Sequence, residues 1–169
     1  NKPMFALHTG TETAEEKEII RNIFNGTWKF IPPILAEQLT SISANNVYGE
    51  IIKVFMITAS GAEGISLKNV RYVHITEPYW HPVRINQVIG RARRICSHQD
   101  LPEELRTVEV FIYLMTLSDK QKNSDLSIEL RLKDKSKLDN KTPFTSDETI
   151  FEIANLKENI VEQLLVGVK

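Results

Sequence analysis

The chain has 169 residues, of which 41% are hydrophobic and 25% charged, and its net charge is −1. That length suffices for one compact domain with a core, and the charge balance excludes a uniformly basic nucleic-acid-coating protein, so phosphate contacts must come from a local cluster. The one cysteine, Cys96, excludes an internal disulfide and fits a reducing, intracellular compartment.

No apolar run reaches the roughly 20 residues that span a bilayer, so no membrane partner is expected. Asn1–Gly10 lacks the apolar core of a signal peptide, and the abrupt start without methionine suggests a fragment of a longer protein. Met4–His8 reads as a strand ended by Gly10. Thr13 with Glu16 is a capping-box pattern. It predicts a helix over 14–24, with Ile19, Ile20, Ile23 and Phe24 on one face and Asn25-Gly26 as the stop. Residues 27–49 read as an insertion in the crossover. Within it Pro32-Pro33 starts a short helix whose apolar side is Ile34, Leu35, Leu39 and Ile42. Trp28, Phe30 and Tyr48 would seal the insertion onto the core or stack on bases.

Val54–Thr58 is a strand of buried type, followed by a glycine-bearing turn over 59–64 and a second strand over 72–76. After a loop over 77–81, Pro82 opens a helix carrying Asn86, Gln87, Gly90, Arg91, Arg93 and Arg94. A third strand, buried on at least one face, is expected over 108–115. The stretch 118–141 is polar and lysine-rich, and in it Leu126, Ile128, Leu130 and Leu132 fit a strand or a helix. Thr145 with Glu148 is a second capping box, predicting a helix over 146–165. Its apolar face would be Ile150, Ile153, Ala154, Ile160, Val161, Leu164 and Leu165. Strand–turn–helix units in this order argue for an α/β fold with a parallel sheet. Ligands of such sheets collect at the carboxyl ends of the strands.

The chemistry concentrates in Gln87-x-x-Gly90-Arg91-x-x-Arg94. Arg91 and Arg94 are three apart, so on a helix they project from nearly one face. Two planar, permanently charged guanidinium groups on one face can hold a polyphosphate, and Gly90 lets a backbone or ligand approach closely. Tyr79 and Trp80 would pack the preceding loop or stack on a base. His74, His81, Cys96 and His98 lack the paired spacing of a zinc site, so no metal ligand is assigned. No G-x-x-x-x-G-K-[ST] phosphate loop occurs, and the pairs Glu15-Glu16, Glu103-Glu104 and Asp147-Glu148 do not follow an apolar strand.

Gln87 to Arg94 resembles motif VI of superfamily 2 helicases and translocases, and Thr58 to Leu67 resembles their motif V, at a fitting spacing. The wording of the chain is similar to helicases of large DNA viruses, around the poxvirus-type early transcription factor and nucleoside triphosphatase I. The resemblance implies the second RecA-like domain of a two-RecA-domain motor over 1–117, followed by a lysine-rich linker and helical extension over 118–169. It implies an ATP-dependent helicase or translocase whose ATP and Mg²⁺ are bound mainly by an upstream RecA-like domain. Arg94 then matches the arginine finger and Arg91 the second catalytic arginine. Gln87, Gly90, Gly64 and Ser66 match positions that couple to the nucleotide. Thr58, Ser60, Gly61 and, more loosely, Gly10 match positions that touch DNA or RNA. Viral transcription machinery would be a further partner, and host cytoplasm or virion the location. Ser66 stands where many relatives carry Asp or Asn, and Arg93 where many carry Gly. The alternative is a non-catalytic RecA-like module that binds nucleic acid or a partner in a transcription or repair assembly.

Overall fold

The computed structural model describes residues 4–58, 64–122 and 145–167. The expectations for the turn at 59–63 and for Leu126, Ile128, Leu130 and Leu132 lie outside the described residues. The chain is α/β, with parallel strands flanked by helices. It divides into two compact units, one of Asn1–Val73 with Val88–Glu109 and one of His74–Gln87 with Val110–Lys169.

In the first unit, β1 (Met4–His8) pairs in parallel with β2 (Ile52–Ile57). The crossover carries α1 (Ala14–Phe24). Both halves of its capping box form: Thr13 Oγ1 accepts from the Glu16 amide, and Glu16 accepts from the Thr13 amide at 2.8 Å. The bonds that the carboxylate accepts from the Thr13 amide and hydroxyl hold the Glu16 carboxyl below the usual carboxylate range. The helix stops because Gly26 takes φ +67°. The Gly26 amide then reaches the Ile23 carbonyl and the Thr27 amide reaches the Asn22 carbonyl, the two bonds of a Schellman ending.

Ala6, Ile31, Leu39, Ile51 and Ile52 form the buried cluster, with Ile19, Ile20, Ile23 and Phe24 of α1 packed on it. The segment expected as an insertion therefore contributes core. Its α2 (Pro33–Ile42) turns Leu35, Ala36 and Leu39 inward. Ile34 and Ile42, expected on the apolar side, are exposed instead, because the ten-residue helix is short and only its middle meets the core. Trp28 packs on the cluster and donates its indole N–H to the Ala44 carbonyl, whereas Phe30 and Tyr48 are exposed. β2 starts two residues earlier than predicted, and it is covered on one face only. Phe55 meets Phe24 at 4.9 Å between ring centroids, while Val54 and Met56, with Phe5 and Leu7 of β1, are exposed.

One buried amide ties these pieces together. Asn46 is 5% exposed. Its Oδ1 accepts from the amides of Ile51 and Ile52, both at 2.9 Å. Its Nδ2 donates to the carbonyls of Phe24 and Ile52, at 2.8 and 3.0 Å. One side chain thus satisfies backbone groups at the end of α1 and at the start of β2.

β3 (Tyr72–Ile75) and β4 (Glu109–Ile112) form the second pair. The Glu109 amide donates to Arg71 and the Tyr113 amide to Ile75. The constant offset makes this pair parallel. β4 is not buried as expected: Phe111, Ile112 and Tyr113 are exposed. In the second unit His74 stacks on Phe111 at 5.1 Å and places Nδ1 2.8 Å from the Tyr113 hydroxyl. α3 (Pro82–Ala92) begins at the predicted proline. A short α4 (Asp119–Lys122) and a long α5 (Ser146–Gly167) follow. On α5 only Ala154 is fully buried, and Ile153, Ile160, Val161, Leu164 and Leu165 of the predicted apolar face are exposed.

Replacing Asn46 by Ala strands buried donors and acceptors on α1 and β2 at once. The expected loss is about 3 kcal/mol or more, read as a lower urea midpoint. The exposed neighbour change Asn45→Ala should cost less than about 1 kcal/mol.

Candidate functional site

The carboxyl ends of β1 and β2 lie side by side, with the Thr58 amide donating to the His8 carbonyl at 3.3 Å. The turn after β1 folds onto Glu12, which accepts from the Thr9 amide at 2.7 Å and from the Thr9 hydroxyl at 2.8 Å. A bond from its own backbone and these bonds from Thr9 hold the Glu12 carboxyl below its usual range. Gly10 is exposed in this turn.

Beyond β2 the chain is described again from Gly64, which sits in a turn at φ +73°. An added Cβ there would meet nothing within 4 Å among the described residues, and the positive φ itself favours glycine. Ile65 and Leu67 are buried and anchor the segment, with Ser66 half-buried between them. Asn25, at the end of α1, grips this segment from both sides. Its Nδ2 donates to the Ser66 carbonyl at 3.0 Å and its Oδ1 accepts from the Lys68 amide at 2.8 Å. The Leu67 amide makes a long 3.5 Å contact to the Arg91 carbonyl, which brings the segment against the end of α3.

α3 ends at Ala92, which is 2% exposed. The Ser97 hydroxyl donates to the Ala92 carbonyl at 3.1 Å, and the Ser97 amide donates to the Arg94 carbonyl at 3.0 Å. His98 lies 2.8 Å from that hydroxyl and donates from Nε2 to the Val70 carbonyl at 2.7 Å. Between these bonds the chain turns at Cys96, an exposed thiol at φ +63°. Arg91 is half-buried and Gln87, Gly90 and Arg94 are exposed. Among the described residues no carboxylate pairs with Arg91 or Arg94.

A family model for the helicase conserved C-terminal domain matches residues 35–96. The chain carries a helicase C-terminal domain. It is 40% identical over 125 residues to a protein of Acanthamoeba polyphaga mimivirus whose name gives it as an ATP-dependent RNA helicase, covering 74% of this chain and 14% of that protein. It is 37% identical over 116 residues to a termination factor NPH-I homologue of African swine fever virus, covering 69% of this chain and 14% of that one. Nucleoside triphosphatase I of Melanoplus sanguinipes entomopoxvirus is 39% identical over 83 residues, 48% of this chain and 13% of its own length. The chain thus spans about one-seventh of the viral relatives it matches. No solved structure matches it significantly.

Within the helicase C-terminal domain, the matched span holds Thr58, Gly64, Ser66, Gln87, Gly90, Arg91 and Arg94, while Gly10 lies before it. Ser60 and Gly61 are outside the described residues. The Leu67 contact brings the segment that holds Ser66 against the Arg91 carbonyl at the end of α3, and Asn25 bonds the Ser66 carbonyl. Thr58 and Gly10 sit at the ends of β2 and β1. One expectation is corrected: Arg93 and Arg94 lie past the end of the helix, so Arg94 does not share a helical face with Arg91. Arg93 still bonds back to the Ile89 carbonyl. The Ser97 cap and the left-handed turn at Cys96 end the helix there. Arg93 also donates to the Val108 carbonyl at 3.2 Å, a structural contact within the domain.

Two contributors escaped the sequence reading. Asn25 reads as a helix stop, and nothing local reveals that its amide clamps residues 66–68. Ser97 and His98 carry no motif, yet they fix the segment that bears Arg94. No group of three His, Cys, Asp or Glu among the described residues is arranged to hold a metal ion.

His8 is 4% exposed, and its Nδ1 has no hydrogen-bond partner among the described residues. Burial, reinforced by Lys17, lowers its pKa below 6.5. The unfolded chain therefore takes up the proton first. Stability should be full above about pH 6.5 and fall as the pH drops from there toward the lowered folded value. Urea titrations between pH 7.5 and 5 should show this slope, and His8→Gln should flatten it. A second outcome concerns Gly90, where an added Cβ meets nothing within 4 Å and the backbone is helical. Gly90→Ala should raise the stability of the chain by about 0.5–1 kcal/mol, measured as a higher urea midpoint.

Proposed function

We propose that this domain is the second motor domain of an ATP-dependent nucleic-acid helicase or translocase. It supplies Arg94 as arginine finger and Arg91 as a second arginine to ATP held on a phosphate-loop domain elsewhere in the full polypeptide. The observation that carries the reading is the end of α3. There a half-buried and an exposed arginine have no carboxylate partner among the described residues, beside a glycine at which an added Cβ would meet nothing within 4 Å among those residues. Two unneutralised guanidinium groups next to open space suit a phosphate brought from outside.

Each residue then has a physical task. Arg94 places positive charge where negative charge develops on the transferring phosphoryl group. Arg91, held through its carbonyl beside Leu67, ties the nucleotide side of the cleft to the segment starting at Gly64. Ser66 completes that link, Gln87 couples to the nucleotide, and Gly90 leaves room for the facing domain. Thr58 and Gly10, at the carboxyl edge of β1 and β2, contact the phosphate backbone of DNA or RNA, a task shared with Ser60 and Gly61. Mg²⁺ accompanies ATP on the phosphate-loop domain. ATP closes the two domains on each other, hydrolysis lets them part, and the cycle moves the protein along a strand. The setting is intracellular and reducing, host cytoplasm or virion, with viral transcription machinery as a partner.

The test is ATP turnover by the full polypeptide with and without DNA or RNA. Arg94→Ala should lower the stimulated rate by at least about a hundredfold while ATP binding persists. Gly90→Ala should lower it too, although it stabilises the chain. The domain alone should hydrolyse ATP negligibly. An Arg94→Ala variant as active as wild type, or a wild type that nucleic acid does not stimulate, would favour a non-catalytic binding module.

A further inference from the structure

The turn that carries Arg94 is closed by a network in which the number of hydrogens fixes the state of a ring. Ser97 is 5% exposed, and its hydroxyl donates to the Ala92 carbonyl at 3.1 Å. His98 Nδ1 lies 2.8 Å from the same hydroxyl oxygen, and His98 Nε2 lies 2.7 Å from the Val70 carbonyl. Backbone bonds close the loop around them. The Ser97 amide donates to the Arg94 carbonyl at 3.0 Å, and the Asn69 amide donates to the Ser97 carbonyl at 2.9 Å. All of these residues belong to the first unit.

A hydroxyl has one hydrogen to give and a carbonyl has none. With the Ser97 hydrogen directed at Ala92, His98 Nδ1 must donate to the Ser97 oxygen, and Nε2 must donate to Val70. Both ring nitrogens then carry hydrogen, which is the charged imidazolium. A neutral ring protonated on Nε2 keeps the Val70 bond but turns the Nδ1 lone pair toward the hydroxyl, which swings its hydrogen away from Ala92. A neutral ring protonated on Nδ1 sets two acceptors, Nε2 and the Val70 oxygen, 2.7 Å apart. The three bonds coexist only with the charged ring. The charged and titratable groups flanking it are Arg94, Cys96, Asp100 and Arg106 on its own stretch of chain, Arg91 at the end of α3, and Lys68 and Arg71 on the segment that holds Val70. Asp100, the one carboxylate among them, accepts from Asn69 at 3.4 Å, and Arg106 donates to the carbonyls of Gln99 and Leu101.

We propose that His98 is a positioning residue whose proton, acting through Ser97, sets the turn that carries Arg94. The charged ring leaves the hydroxyl on Ala92 and holds the turn. The neutral ring withdraws the hydroxyl and loosens the chain after α3. The proposal rests on the reading that Arg94 serves ATP, and it adds a control to that site: turnover falls as His98 loses its proton.

The experiment uses the full polypeptide between about pH 5 and 8, where histidine changes charge. Two quantities are read on the same variants: hydrogen exchange of the amides over residues 93–98, referred to intrinsic rates, and nucleic-acid-stimulated kcat. In wild type both should change in a single-proton step, with exchange faster and kcat lower by about three- to tenfold on the high-pH side. His98→Gln and Ser97→Ala should each remove that step, so the ratio of wild type to variant varies with pH. The ratio cancels what His8 and the nucleotide contribute, and if one variant fails to fold the other carries the comparison. A flat exchange ratio would mean a merely structural contact and overturn the proposal. So would an exchange step with unaffected kcat in a protein that Arg94→Ala inactivates. An Arg94→Ala variant that turns over ATP normally would sink the motor reading instead, and the exchange step would then decide the switch alone.

Discussion

The Asn46 amide is the constraint on which the first unit depends. Four backbone groups from the end of α1 and the start of β2 find their partners on one buried side chain. A buried backbone group without a partner costs about as much as a lost hydrogen bond, so the strand, the crossover helix and the segment between them are held in one arrangement. That arrangement places the carboxyl ends of β1 and β2 together. It also sets Asn25, at the end of the same α1, where its amide clamps the segment after Gly64. Structure and candidate site share one helix terminus.

The arginine segment follows a different logic. A helix that continued through Arg94 would have offered both arginines on one face. The chain instead leaves the helix after Ala92, caps it with Ser97, and turns through Cys96. Arg93 is used internally on the Val108 carbonyl, while Arg91 and Arg94 remain without carboxylate partners among the described residues. Placing Arg94 on a braced turn, rather than on the helix, fixes its backbone and leaves its side chain available to a group arriving from outside.

Much of this was legible in the residues. The capping boxes at Thr13 and Thr145 and the proline at 82 gave helix starts that the structure keeps, because those signals act locally through backbone hydrogen bonds. The glycine–arginine pattern gave the family. Misjudged features were those set by distant partners. Ile34 and Ile42 are apolar at helical spacing, but spacing does not say how much of a short helix meets the core. Val54, Met56 and the face of β4 read as buried because parallel strands usually are, and the face they present is open in this chain. The roles of Asn25 and Asn46 could not be read at all: a turn asparagine and a buried hub look alike until their distant partners, Ser66 for Asn25 and Phe24 for Asn46, are known.

The most direct measurement is a structure of the full polypeptide bound to nucleic acid, ADP, Mg²⁺ and a metal-fluoride mimic of the transferring phosphoryl group. The account predicts the Arg94 guanidinium at charge-assisted hydrogen-bond distance from the mimic, about 2.7–2.9 Å, with Arg91 beside the nucleotide and Gly90 against the facing domain. An Arg94 side chain that stays in solvent in the closed complex, with another residue at the mimic, would contradict it.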